Sequence, residues 1–342
     1  MDRRKTNLAK YFPMMRTREA IIKEIEGNPT LRKKYEEWSE EERKNFLDMC
    51  TGEKGIKILY DVYFKEIMNP AYAPERMSEL LSVLLGREVK VVEVLPAESR
   101  IADEESLLIL DILVRTTEGN LLNCEVQKIG YKFTAARASC YSADLLLRQY
   151  KRVREQSVNR TFSYANIKDV YTIVFFEISS KVFHDFYKQF CNNDNREVLI
   201  HRMKQVSDTG IEIELLQKFI FVPLDIFKEM YQNKAIDTKL AAWLTFLSTD
   251  SPERIEKLIS GYPEFRPLYG DLYNMCRNVE SVMDMYSKEL AELDKNTVHL
   301  MIDEYREEII KKDRELSEKD RELEEKEQEL QELRDRLKQL EK

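Results

Sequence analysis

Glycine and proline are scarce in this chain, nine of each among 342 residues. There is little material for Gly-rich phosphate loops, and a helix-rich structure is expected. Histidine is rarer still: His184, His201 and His299 stand apart, with no metal-ligand spacing among them, which argues against a zinc site. The five cysteines (Cys50, Cys124, Cys140, Cys191 and Cys276) are odd in number and widely spaced, with no CxxC pair. That pattern points to a reducing compartment, with the thiols serving mainly as small core residues. Long apolar runs are missing too. Tyr171–Phe176 and Leu80–Leu85 fall far short of the roughly 18–20 residues a membrane span needs. No apolar h-region follows the basic start MDRRKTNLAKYF. The expectation is a cytoplasmic protein with no membrane partner.

What is present is charge and ordinary hydrophobicity. Hydrophobic residues make up 43% and charged residues 35% of the chain, which suits a packed core with a solvated helical extension. The net charge of −8 excludes a uniformly basic nucleic-acid coat. Its distribution is uneven. Residues 303–342 hold sixteen acids and eleven bases. Residues 128–160 carry eight bases (Lys128, Lys132, Arg137, Arg148, Lys151, Arg152, Arg154 and Arg160) against only Asp144 and Glu155.

The first fifty residues read as short helices, with a capping box at Ser39–Glu42. A helix is expected from about Lys57 to Met68, stopped by Asn69-Pro70, and another from Pro74 to Gly86. After Gly86 the period shortens. Val89–Leu95, Leu107–Val114 and Leu121–Val126 are strand-like, the last two separated by the turn segment RTTEGN. Helix is expected from about Phe133 to Arg154, a buried central strand at Val170–Phe176, and one more strand near Leu215–Leu224. In the tail, Ile302, Ile309, Leu316, Leu323, Leu330 and Leu337 recur every seven residues, with Tyr305, Lys312, Lys319, Lys326, Leu333 and Leu340 as companions. This heptad predicts a coiled coil over 302–340 and a homo-oligomer, with a single solvated helix as the competing reading.

Chemistry concentrates in the hairpin Leu107–Lys128. A turn at Thr116–Asn120 pairs residues whose numbers total 236, which sets Asp111 opposite Glu125 and Ile109 opposite Gln127. Directly opposed residues share a sheet face, with Cβ atoms about 4.5–5.5 Å apart. Both acids lie in otherwise apolar strands, LLILDILV and LLNCEVQ. Two desolvated carboxylates stay ionised only if a cation or strong donors sit between them. A hard divalent ion such as Mg²⁺ (or Mn²⁺) answers this, with Asp111, Glu125 and the Val126 carbonyl as ligands. The alternatives are an arginine partner for one acid, or a register slip that separates the two.

Strand-borne Asp111, followed by Glu125-Val126-Gln127 in a helix–β–β–β–helix–β order, resembles the PD-(D/E)XK nuclease superfamily. More narrowly the chain resembles the PD-(D/E)XK nuclease family transposase group, related to the Rpn recombination-promoting nucleases. The segments YDVYFKEIMNP, LLILDILVRTTEGNLLNCEVQKIGY, ARASCYSADLLLRQYKR and VYTIVFFE carry the likeness, which extends over about residues 12–300. The resemblance implies an α/β (α+β) fold with a restriction-endonuclease-like core at 57–180; the pattern along the chain adds an N-terminal helical segment at 1–56, a strand plus helical subdomain at 181–300, and the coiled coil at 301–342. It implies a metal-dependent DNA endonuclease, with no nucleotide cofactor. Asp111 and Glu125 become metal ligands, and Gln127 stands where the motif has lysine. Asp61 is a candidate third acid, with Glu66 as its competitor.

Cations on the following helix suit a polyanion. Arg137 and Tyr141 are i,i+4 neighbours, and Arg148, Lys151 and Arg152 cluster near the helix end. All five are candidates for DNA contact, Arg137 foremost. Helix-end bases that merely complement the dipole are the competing explanation. A catalytically weak or inactive nuclease-fold protein, binding DNA and assembling through its tail, is the competing function.

Overall fold

The computed structural model describes residues 6–96, 98–100, 107–109, 111–129, 135–156, 162–194 and 199–291, with scattered positions between 309 and 326. The chain divides into two compact units, Met1–Met285 and Tyr286–Lys342.

The first unit opens with α1 (Arg18–Gly27), α2 (Pro29–Glu37) and α3 (Glu40–Thr51). Each begins at a side-chain cap. Thr17 accepts from the Ala20 N–H and Asn28 from the Thr30 N–H. At α3 the expected box forms reciprocally: Ser39 Oγ accepts from the Glu42 N–H, and Glu42 accepts from the Ser39 N–H. Gly52 ends α3 at φ +78°, where a Cβ would lie 2.9 Å from Met15 Sδ and 3.0 Å from the Ala9 nitrogen. Only glycine takes that conformation without strain.

Then follow α4 (Asp61–Ile67) and α5 (Pro74–Leu85). The strands are β1 (Val91–Val94), β2 (Glu98–Arg100), β3 (Leu107–Ile109), β4 (Ile112–Thr116) and β5 (Leu121–Ile129). After α6 (Ala135–Gln156) come β6 (Val170–Ile178), α7 (Lys181–Asp194), β7 (His201–Arg202) and β8 (Gln217–Pro223). Four helices follow, α8 (Leu224–Tyr231), α9 (Lys239–Ser248), α10 (Pro252–Gly261) and α11 (Phe265–Met275), and residues 279–291 are helical after them.

One six-stranded mixed sheet carries the order β1-β4-β5-β6-β8-β7. β6 runs parallel to both β5 and β8, while β4–β5 is antiparallel. The run Val170–Phe176 is central and buried along its length, as expected from its unbroken apolar sequence. β7 and β8, from the 181–300 segment, belong to the same sheet as the strands before residue 180.

Helices cover both sheet faces. On one, Ala138, Tyr141 and Leu145 of α6 pack with Leu113, Leu121, Val170, Val174 and Phe176. On the other, Phe64 of α4 meets Phe175 with ring centroids 6.1 Å apart, and Met77 of α5 contacts Cys124. The acid-bearing hairpin is thus clamped between α6 and the α4–α5 pair. Among the described residues no helix is long and apolar enough to cross a membrane.

From Ile112 to Arg115 the hairpin register matches expectation: Ile112 faces Cys124, Leu113 faces Asn123, Val114 faces Leu122 and Arg115 faces Leu121. The expected single strand at 107–114 is instead broken at Asp111, which sits in a bend. Ile109 pairs with Glu98 in a separate two-stranded ladder, not with Gln127. The cause is local. The Asp111 N–H donates to the Glu125 carboxylate (3.0 Å), and Asp111 Oδ2 accepts from the Val126 N–H (2.8 Å). Carboxylates have replaced backbone carbonyls as partners, so the ladder cannot continue in regular form.

The heptad at 302–340 lies mostly outside the described residues. Within that segment Ile309, Leu316 and Leu323 are helical and expose more than half of their surface.

Candidate active site

Residues of β5 alternate between the two faces, so Asn123, Glu125 and Gln127 share the α6 side. Glu125 sits 4% exposed inside the sheet. Its Oε1 accepts from both the Asp111 N–H and Asn123 Nδ2 (2.8 Å). No described residue donates to its Oε2. Burial, and then the Asp111 charge, push the Glu125 carboxyl up to about 8, against the pull of Asn123, the Asp111 N–H and Arg137. Desolvation of the charged form outweighs the donors.

Asp111 is better supplied. Its Oδ1 lies 3.1 Å from Lys65 Nζ, on α4, and its Oδ2 takes the Val126 N–H. N–H and C=O of one strand residue point toward the same strand edge, so the Val126 carbonyl faces the Asp111 side of β5. Hard oxygen donors from Asp111, Glu125 and Val126 suit a small divalent cation that keeps several waters. The carboxyl held up by burial is the observation that favours such an ion. Among the described residues no three His, Cys, Asp or Glu side chains gather into a fuller cluster.

Position 61 opens α4 one turn before Lys65, on the same helical face. The Asp61 side chain lies outside the described residues. Glu66, its competitor, is exposed and is rotated about 100° from Lys65 around the helix.

The helix after the hairpin delivers two of its five candidate DNA contacts to the acids. Arg137 donates through Nε and Nη2 to Tyr141 Oη (2.9 and 2.7 Å) and through Nη1 to Gln127 Oε1 (3.4 Å). Gln127 Nε2 in turn donates to the Ile129 carbonyl (3.1 Å). Arg148, Lys151 and Arg152 are elsewhere. Arg148 follows Arg137 by eleven residues, about 16 Å along the helix axis. It pairs with buried Asp144 (2.8 Å) and donates to the Pro96 carbonyl (2.6 Å). Arg152 pairs with Glu93 (3.2 Å), which also binds Arg115 (2.6 Å). Lys151 is exposed. The structure does not bring these three to the acid pair, and it gives the two arginines work in tying α6 to β1 and the Pro96 loop.

Two neighbours of the acids escaped sequence reading. Lys65 follows Asp61 by four on a helix, the spacing of an ordinary surface pair, and 46 residues separate it from Asp111. Asn123 was legible in principle, since it precedes Glu125 by two in an apolar strand and so shares its face.

A family model described as PD-(D/E)XK nuclease family transposase matches residues 58–300. The chain belongs to this family. No curated protein and no solved structure matches it. The matched span takes in both acids, Lys65, all of α6 and the whole six-stranded sheet. As a PD-(D/E)XK nuclease family protein the chain has a nuclease-like core, and Asp111, Glu125 and Gln127 all fall within the matched span. The mixed sheet with helices on both faces is the fold expected of that family.

Proposed function

We propose that this chain is a divalent-metal-dependent DNA endonuclease of the recombination-promoting type, working at Asp111 and Glu125. One observation carries the reading: Glu125, 4% exposed, faces Asp111 across the hairpin and is held toward its protonated form by burial and by that neighbour's charge. A pair of acids so placed costs stability unless it holds a cation. Asp111, Glu125 and the Val126 carbonyl are the assigned ligands for Mg²⁺ or Mn²⁺, with Asp61 as third acid. When bound, the ion supplies Lewis-acid activation and screening of phosphate charge.

The chain's own groups do the rest. Gln127, fixed by Arg137 and the Ile129 carbonyl, orients the attacking water through its amide. Arg137, braced by Tyr141, binds a backbone phosphate next to the acids. Water forms the new P–O bond and gives up a proton to bulk solvent, one ester P–O bond breaks, and the leaving alkoxide takes up a proton from solvent. Arg148, Lys151 and Arg152 form a more distant phosphate track, with Arg148 and Arg152 doubling as structural ion pairs. The tail heptad makes the protein a homo-oligomer.

Purified protein is expected to nick supercoiled plasmid with Mg²⁺ or Mn²⁺ and not with EDTA, and Asp111→Ala to lose at least about 100-fold of that rate. Equal nicking by the variant would remove the assignment. A second reading, a DNA-binding assembly protein without catalysis, draws on glutamine at position 127 and the net charge of −8. It predicts DNA affinity with no nicking under any divalent ion.

A further inference from the structure

The charge that the nuclease motif places as lysine two residues after its second acid is missing at that position: the lysine that β5 carries, Lys128, alternates to the opposite face and lies over the Tyr60 ring. Position 127 has a neutral amide, already engaged with the Ile129 carbonyl and Arg137. A cation nevertheless reaches the acid pair, from another element. Lys65 Nζ lies 3.1 Å from Asp111 Oδ1. Its backbone position is set by its neighbour: Phe64 is fully buried against Phe175, which pins this turn of α4 to the sheet. The Lys65 side chain keeps 36% of its surface exposed, so solvent reaches it while its ammonium stays on the acid. Arg137 does not duplicate it. Arg137 comes from α6, and two of its donors are spent on Tyr141.

We propose that Lys65 is a catalytic residue of this site: in the DNA complex its ammonium contacts the scissile phosphate and stabilises the negative charge that builds during water attack. The function of the motif lysine is thereby supplied from α4 instead of β5. This rests on the nuclease reading above and adds a residue that the motif itself does not predict. A purely structural Lys65–Asp111 pair, this exposed, would be worth little and would leave the rate of cleavage unchanged. An ammonium at the scissile phosphate acts mainly on the transition state, so its loss falls on kcat.

The test compares wild type, Lys65→Met, Lys65→Arg, and Lys65→Met combined with Gln127→Lys. Steady-state plasmid nicking, Mn²⁺ titration calorimetry and thermal unfolding are measured for each. Lys65→Met is expected to lower kcat by about 100-fold or more, with KM for DNA within about threefold of wild type. Mn²⁺ affinity is expected to hold or tighten, because a competing cation has left Asp111. Lys65→Arg keeps most of the rate. Gln127→Lys in the Lys65→Met background returns at least about tenfold, since the charge re-enters from the strand. Wild-type nicking by Lys65→Met, no rescue by Gln127→Lys, or a loss of Mn²⁺ affinity parallel to that of Asp111→Ala would each overturn the proposal while leaving the nuclease reading in place. A wild-type chain that neither binds Mn²⁺ nor nicks DNA overturns both.

Discussion

Glu125 concentrates the energetics of the site in one carboxyl. Its two described donors converge on Oε1, and neither compensates for burial beside Asp111. A carboxyl raised from 4.5 to about 8 binds more protons folded than unfolded across that interval, so stability falls as pH rises through it. Metal-free protein is therefore expected to melt at progressively lower temperature from about pH 5 to pH 8. Glu125→Gln should flatten this part of the profile, and saturating Mn²⁺ should restore Tm in the wild type alone. Calorimetric melts across that range decide it. An unchanged pH profile in Glu125→Gln would mean that the folded state does not hold the proton there. The acids themselves were legible in the sequence, because a charged residue inside LLILDILV or LLNCEVQ demands a partner. Lys65 was not, because nothing local joins residue 65 to residue 111.

At the scale of elements, α6 serves two purposes at its two ends. Near its start Arg137 meets Gln127 beside the acids, whereas further along Arg148 and Arg152 are fastened to Asp144, Pro96 and Glu93. Arg137→Ala is expected to weaken DNA binding and to reduce the slope of log affinity against log salt by about 1, with little change in Tm. Arg148→Ala should instead destabilise the fold by roughly 2 kcal/mol, because it leaves Asp144 buried without its cation. Denaturant unfolding together with fluorescence anisotropy separates the two, and interchanged effects would refute the division. The hairpin register was readable because one apolar pattern and one turn fix it. The kink at Asp111 was not, because hydropathy does not register a side chain that competes with the ladder for a backbone N–H. The ties of Arg148 and Arg152 were hidden for a related reason: their partners at 93 and 96 lie on another element, and helix-end cations look alike whether they hold DNA or the fold.

For the whole molecule, the net charge of −8 and the proposed DNA substrate are reconciled by distribution, since the acidic excess lies largely beyond residue 302 while Arg137 of α6 meets Gln127 beside the acid pair. The family match covers 58–300, and the N-terminal helices and the tail lie outside it. Ile309, Leu316 and Leu323 expose an apolar seam at heptad spacing, with Lys312, Lys319 and Lys326 along its companion positions. Light scattering is expected to find the full chain larger than a monomer and a chain ending at residue 300 monomeric; identical apparent oligomeric states would remove the tail from assembly. The heptad is read from its period alone, and lysines at its companion positions do not specify a number of strands. The most direct test of the account is titration calorimetry of Mn²⁺ into the wild type and into Asp111→Ala at pH 8. The account predicts one site per chain in the wild type and a loss of at least about tenfold in affinity in the variant. Equal binding by both proteins, or none by either, would contradict it.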